Sequence, residues 1–386
     1  MKTWGASMLV LATLAVAQSS QSLQDVQSAL QRKDYATALR VVRPLAQGGD
    51  PAAQTILGGM YALGYGTSQS YAEGVNWFRK SAAQGFSDGQ YQLGTAYLLG
   101  QGTPQNNAEA VNWFRKAADQ GHPGAQSNLG IMYLEGRGVR RSPADALTWF
   151  NKAAAQNEPQ AQANLGLMYA RGEGVKKDEA QAVSWYRKAA DQGLAGAQYS
   201  LGVAYANGVG VAENDAEAVA WFRKAADQGI AEAQANIGMA YAIGLGVAKN
   251  PAEAVKWSGR AAQQGISQAQ ETLRGLAQTG SAAAQNELGR TYENGWGSLK
   301  IDAEAANWYR KAAEQGLAAG EYNLGRLYAA GKGIRQSDVE AYRWFSLAAA
   351  QGHADARKQM GEVAKRLSAE QVAQAKQTAK ESQPAH

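Results

Sequence analysis

The chain has 386 residues, a formal charge of +5, 44 glycines, 8 prolines and no cysteine. Its acidic and basic residues are interspersed, which excludes the electrostatic footprint of a nucleic-acid-binding protein. The missing cysteines exclude disulfides, thiolate metal sites, a cysteine nucleophile and a lipidated cysteine.

The first element stands apart from the fold. Lys2 precedes the apolar run Met8 to Ala17, and Ala15-Val16-Ala17 is an A-x-A cleavage signal before Gln18. Roughly ten apolar residues are too few to span a bilayer, so residues 1–17 are expected to be a cleavable secretory signal peptide. The mature protein is then periplasmic or secreted, with no membrane span, because no later stretch is long and apolar enough. Residues 18–50 read as a degenerate repeat, with Tyr35 and Ala38 on its second helix, expected to cap the N-terminal end.

From residue 51 the chain repeats. Eight times a Leu-Gly-type pair is followed four residues later by Tyr and twenty later by Trp, usually at a step of 36. The tryptophans are Trp77, Trp113, Trp149, Trp185, Trp221, Trp257, Trp308 and Trp344. A period in the range of about 20–50 residues marks a solenoid whose units bury apolar surface against their neighbours.

Residues 196–229 serve as the example. Leu201, Ala204 and Tyr205 lie on one face of a first helix. Gly202 lets a neighbouring helix approach, and Gly208-Val209-Gly210 ends the helix with a residue suited to positive φ. Asn214 as N-cap and Glu217 three residues on open the second helix. Ala218, Trp221, Phe222 and Ala225 form its apolar stripe, and Gly229 stops it. The N-cap slot recurs as Ser70, Asn106, Ser142, Asp178, Asn250 and Ser337, and Asn157 replaces the stop glycine once. The tryptophans are expected in the core. The Arg-Lys pairs that come after them are expected to pair with acids such as Asp119 and Asp227 on a solvated face.

Such residues, from Ala197, Leu201-Gly202, Tyr205, Gly208 and Gly210 to Ala218, Trp221-Phe222, Lys224-Ala225-Ala226 and Gln228-Gly229, resemble the Sel-1-like repeat family, a relative of the tetratricopeptide repeats. The resemblance covers about residues 35–361. It implies an all-α fold, an α/α superhelical solenoid of helix-turn-helix repeats used as an adaptor or scaffold for protein complexes. Secreted bacterial members are implicated in envelope regulation, exopolysaccharide export and host interaction. A cysteine-rich branch binds or slowly hydrolyses β-lactams; this chain lacks those cysteines, so that activity is not carried over.

The pattern breaks once. From Trp257 to Trp308 the step is 51 residues, the usual 36 plus 15. Residues 266–281 hold one helix around Leu273 with no Trp helix after it, so a bend or altered curvature is expected there. The expected division is therefore 51–265 with six repeats, the truncated repeat 266–281, 282–352 with two repeats, capping helices over 353–380 and a disordered tail over 381–386.

Candidate chemistry is sparse. His122, His353 and His386 have no metal spacing, and the first two come directly after turn glycines, which makes them surface turn residues. The Gly-x-Gly turns come after helices rather than strands, which excludes a phosphate cradle. No cofactor or metal site is expected, nor catalytic residues, since Ser-x-x-Lys and His-Glu-x-x-His are absent.

In the tetratricopeptide architecture the first helix lines the concave face. Its exposed slots there lie two residues before, two after and five after the Leu. In this chain those slots are apolar or aromatic in the middle repeats and charged in the last two. Tyr199, Met239, Arg290, Tyr322 and Arg326 are the expected partner contacts. The expected function is non-enzymatic: an extracytoplasmic scaffold or regulator, monomeric, holding a protein or peptide on its concave face. An envelope polysaccharide or peptidoglycan binder is the alternative, and a β-lactam-hydrolysing enzyme is a third reading.

Overall fold

The structure, a computed structural model, describes residues 21–382, so the expected leader over 1–17 lies outside the described residues. These residues form helices and no strand. They divide into two compact units, one up to Leu194 and one from Ala195. The first holds α1 (Gln21–Gln31), α2 (Tyr35–Gln47), α3 (Pro51–Leu63), α4 (Tyr71–Ala83), α5 (Ser87–Leu99), α6 (Asn107–Asp119), α7 (Pro123–Glu135), α8 (Pro143–Ala155), α9 (Pro159–Arg171) and α10 (Glu179–Asp191). The second holds α11 (Ala195–Asn207), α12 (Asp215–Asp227), α13 (Ala231–Ile243), α14 (Pro251–Gln263), α15 (Ser267–Gln278), α16 (Ala282–Asn294), α17 (Asp302–Glu314), α18 (Ala318–Ala330), α19 (Asp338–Ala350), α20 (Ala354–Ala364) and α21 (Ala369–Glu381).

The repeat hairpins are closed by three devices, of which the hairpin of α16 and α17, with Ile301 at its N-cap, lacks the last. The first helix ends on a glycine in the left-handed region, such as Gly100 at φ 68°. Two residues on, Gly102 (φ 72°) brings the turn so close to the preceding repeat that a Cβ would lie 2.3 Å from the Tyr71 carbonyl oxygen. The N-cap side chain of the second helix then accepts from the helix backbone: Ser70 from Glu73, Asn106 from Ala108 and Glu109, Asp178 from Gln181. Each such cap is worth about 1 kcal/mol. The N–H of the same cap residue donates back to the repeat tyrosine, as from Asn106 to the Tyr97 carbonyl at 2.9 Å.

The glycine of the Leu-Gly pair lets the neighbouring helix approach closely, as expected. It seats the aromatic ring next after the tryptophan in the second helix of its own hairpin. A methyl group at Gly94 would lie 2.8 Å from the Phe114 ring, and at Gly202 it would lie 2.6 Å from Phe222. Gly58 with Phe78, Gly166 with Tyr186, Gly289 with Tyr309 and Gly325 with Phe345 repeat the arrangement. Phe114, Phe150, Tyr309 and Phe345 are fully buried. Each such ring contributes about 1.5–3 kcal/mol through burial.

A glutamine relay joins the hairpins. The buried Gln126 of α7 accepts from Gln156, the C-cap of α8, at 2.9 Å and donates to the Ala118 carbonyl of α6 at 3.1 Å. Gln156 also donates to the Gly121 carbonyl at 2.9 Å. One pair of amides thus ties a second helix, the turn after it and the next hairpin. The donation from C-cap to buried side chain recurs in all eight hairpins, between 2.7 and 2.9 Å.

The irregular segment is the single helix α15, and it plays two parts. Toward α13 and α14 it behaves as a first helix, packing on both with Ala269, Gln270 and Leu273 buried. Toward the hairpin of α16 and α17 it behaves as a second helix. Its Ala277 carbonyl accepts from Gln285 at 3.1 Å, its Arg274 donates to Tyr292 at 3.0 Å, and its start carries the close turn at Gly297. The stack therefore continues without a missing neighbour. Its consequence is a change of layer: α15 packs beside α13, while α16 packs beside α14. The first helices α16 and α18 continue the layer of the second helix α14. Repeat six is adapted to this, with Trp257-Ser258-Gly259-Arg260 where every other repeat has Phe or Tyr after the tryptophan. A Cβ at Gly259 would meet the Glu287 carboxylate at 3.2 Å.

The first unit is closed by α1 and α2, where Tyr35 stacks on Tyr65 at 4.3 Å, and the second by α20 and α21. The helix expected to stop at 380 runs to Glu381, and Ser382 N–H donates to the Thr378 carbonyl at 3.2 Å. The expected tail beyond it lies outside the described residues.

Candidate protein-interaction surface

Side-chain chemistry on the helix faces separates structural from available groups. Trp221, Trp257 and Trp344 are buried as expected, whereas the other five repeat tryptophans are not the innermost residues. Trp77, Trp113, Trp149, Trp185 and Trp308 are half-buried, because the next aromatic takes the central seat. Their outer faces are covered by the lysine three residues on: Lys116 lies 4.0 Å from the Trp113 ring centre, Lys152 4.1 Å from Trp149 and Lys224 3.7 Å from Trp221. The arginines of the Arg-Lys pairs reach the next hairpin, as Arg115 does in donating to the Tyr133 hydroxyl at 3.0 Å, and Arg223 in donating to Tyr241. These cations stitch repeats together rather than forming the expected acid pairs.

His122 and His353 are caps rather than free turn residues, and His386 lies outside the described residues. His122 Nδ1 accepts from the Ala125 N–H at 3.1 Å, its Nε2 meets Asp88 at 3.1 Å, and its ring stacks on Tyr91 at 4.5 Å. His353 accepts from Ala356 at 3.3 Å and stacks on Tyr322 at 4.4 Å. Residues Gly85-Phe86-Ser87-Asp88-Gly89 carry the letters of a hydrolase nucleophile elbow, Gly-x-Ser-x-Gly. No strand precedes them, Ser87 opens α5, and both nitrogens of the nearby His122 are engaged. The match lacks the strand-to-helix context that gives such a serine its reactivity.

The charged face gathers on α14, α16 and α18. A shallow cavity of about 300 Å³ between α14 and α16 is lined by Val255, Lys256, Gly259, Arg260, Glu287 and Arg290. Arg290 pairs with Glu287 at 2.9 Å and lies over Trp296 at 5.3 Å. One turn further, Arg326 of α18 reaches the Glu293 carboxylate at 2.6 and 2.8 Å, and the fully buried Tyr309 donates to the same carboxylate at 2.7 Å. Burial, joined by the Glu293 charge, raises the Tyr309 hydroxyl, so it remains a donor across the physiological range. Arg290 and Arg326 keep 37% and 38% of their side chains exposed. Exposed pairs such as Arg290–Glu287 add only about 0–1 kcal/mol to stability, whereas Arg326 meets a Glu293 carboxylate that is only 13% exposed.

The five expected contacts do not share one surface. Tyr199 on α11 is half-buried against Phe222 at 5.8 Å, and Met239 on α13 touches Gln268 at 3.5 Å; both belong to the layer before the exchange. Arg290, Tyr322 and Arg326 belong to the layer that α14 continues. The slots taken as exposed are also uneven: Thr95, Ser127, Ala235 and Asn286 are buried between hairpins. The sequence did contain the signal for Lys256 and Arg260, in the departure at Ser258-Gly259, but it reads as significant only once α16 is seen beside α14.

Fold and surface together define a class: an α/α solenoid of helical hairpins whose distinctive chemistry lies on helix faces. Within that class the chain belongs to the Sel1 repeat family. The Sel1 repeat profile matches residues 51–86, 87–122, 123–158, 159–194, 195–230, 231–266, 282–317 and 318–353. A Sel1 repeat protein from Oxalobacter formigenes is similar at 33% identity and a TM-score of 0.57, covering 63% of this chain and 97% of that one. Also similar is c5321, a protective antigen of uropathogenic Escherichia coli with an SLR fold, at 32% identity, covering 94% of this chain and 91% of that one with a TM-score of 0.49. No curated relative matches the chain. Sel1 repeats are commonly protein-interaction scaffolds. No helix among the described residues is long and apolar enough to cross a membrane.

Proposed function

We propose that the protein is an extracytoplasmic, non-catalytic scaffold that holds a protein partner against the charged face of α14, α16 and α18. The observation that carries this reading is the change in side chains at the layer exchange. Middle repeats place apolar residues on their first helices, whereas α16 and α18 present two half-exposed arginines beside a shallow groove. Arginine with neighbouring tyrosine and tryptophan is the composition of an interface anchor. The groove is shallow, as suits an extended peptide segment better than an enclosed small molecule.

Sugar binding, the alternative, calls for open aromatic faces, and the repeated tryptophans carry lysines on theirs. The leader Lys2 to Ala17 supports the extracytoplasmic location. A photoreactive residue placed at Arg290 in the intact protein, in cells, tests the reading, with one at Lys152 as control. A discrete protein adduct at position 290 and none at 152 is expected. Equal labelling at both positions, or capture of cell-wall fragments, overturns it.

A further inference from the structure

The amide relay contains one exception. Seven hairpins place a glutamine at the buried relay position; the eighth places Glu321 there, 3% exposed, accepting from Gln351 at 2.9 Å. Among the described residues it is the one acidic side chain buried so far. Its seven counterparts have an amide with two chemical ends. The carbonyl oxygen accepts from the C-cap glutamine. In Gln54, Gln126, Gln234 and Gln285 the NH₂ donates to the backbone carbonyl eight residues back, of Ala46, Ala118, Ala226 and Ala277, each at 3.1 Å. In the eighth hairpin that carbonyl belongs to Ala313. A carboxylic acid can reproduce both ends, accepting with one oxygen and donating its O–H with the other. A carboxylate can only accept, and it turns a lone pair toward the carbonyl.

We propose that Glu321 is a protonation switch for the C-terminal hairpins: as the acid it completes the relay that binds α18 to α17 and α19, and as the carboxylate it breaks that relay and loosens the face carrying Tyr322 and Arg326. Burial pushes the Glu321 carboxyl up to about 7, against the pull of the Gln351 hydrogen bond. Charges on the packed elements are engaged elsewhere. On α16 Arg290 pairs with Glu287 and Glu293 with Arg326; on α17 Lys311 lies over Trp308. On α19 Arg343 pairs with Glu340, and Asp338 with Arg366 of the turn after α20. Tyr322, next along α18, is stacked on His353. A raised acid fixes the sign. The stability it lends is present below the ordinary glutamate value of 4.5 and is lost as pH rises through about 7.

Hydrogen exchange of the full mature chain, corrected for the intrinsic pH effect, tests the switch, together with a ¹³C titration of the Glu321 carboxyl. From about pH 5.5 to about pH 8.5, protection of α18 and α19 amides is expected to fall by about tenfold or more, and in Glu321→Gln it stays high. The carboxyl midpoint is expected near 7. A midpoint below about 5, or the same loss of protection in Glu321→Gln, overturns the proposal. The switch stands or falls without reference to any partner.

Discussion

At the scale of single residues, the fold depends on a glycine facing an aromatic ring. Gly94→Ala puts a methyl group within 2.8 Å of Phe114, and the helices must part or the ring must leave its rotamer. Urea denaturation should show a loss of about 1–3 kcal/mol, partly recovered by adding Phe114→Leu. No loss would mean that the close approach does not matter. Which aromatic takes the seat was not legible in the sequence. Trp113 and Phe114 are adjacent, both apolar, and both compatible with one wide stripe at helical periodicity. The clue was Lys116, whose ammonium needs water and whose position fixes the outer side of the indole. Caps and turn glycines were legible because their conformations admit few residue types. Asn157, with φ at 61°, fills the glycine slot because asparagine tolerates that region.

At the scale of elements, α15 is the informative one. Its sequence marks it as a lone helix, but its two roles emerge only from both neighbours together. Leu273 sits where those roles meet and is fully buried. Leu273→Ala is expected to cost about 2–5 kcal/mol as a cavity. Hydrogen exchange should then quicken on both sides, in α13 and α14 and also in α16. Quickening on one side alone would contradict the double role. The layer exchange was not legible for a physical reason: helix periodicity fixes which face of a helix is buried, while contacts between helices decide which layer it joins. Hence the expected contacts Tyr199 and Met239 separate from Arg290, Tyr322 and Arg326, although each lies two residues before or two after the Leu of its repeat, or Ile237 in its place.

At the scale of the whole molecule, stability in a repeat protein is a sum of hairpins and their interfaces, so surface chemistry can vary from repeat to repeat without endangering the fold. That freedom is why the variable slots of the last two repeats carry the functional reading. The reading also puts the protein outside the cytoplasm. Mass spectrometry of the chain recovered from the periplasm or medium should find Gln18 at its start, and an uncleaved Met1 would remove that part of the account. The central claim is that Arg290 and Arg326 anchor a protein partner. The most direct measurement is the affinity of the partner captured at position 290 for Arg290→Ala combined with Arg326→Ala. Loss of two arginine anchors of about 1 kcal/mol or more each predicts binding weaker by tenfold or more, with helicity close to the parent's. An unchanged affinity in a folded double variant would contradict the claim.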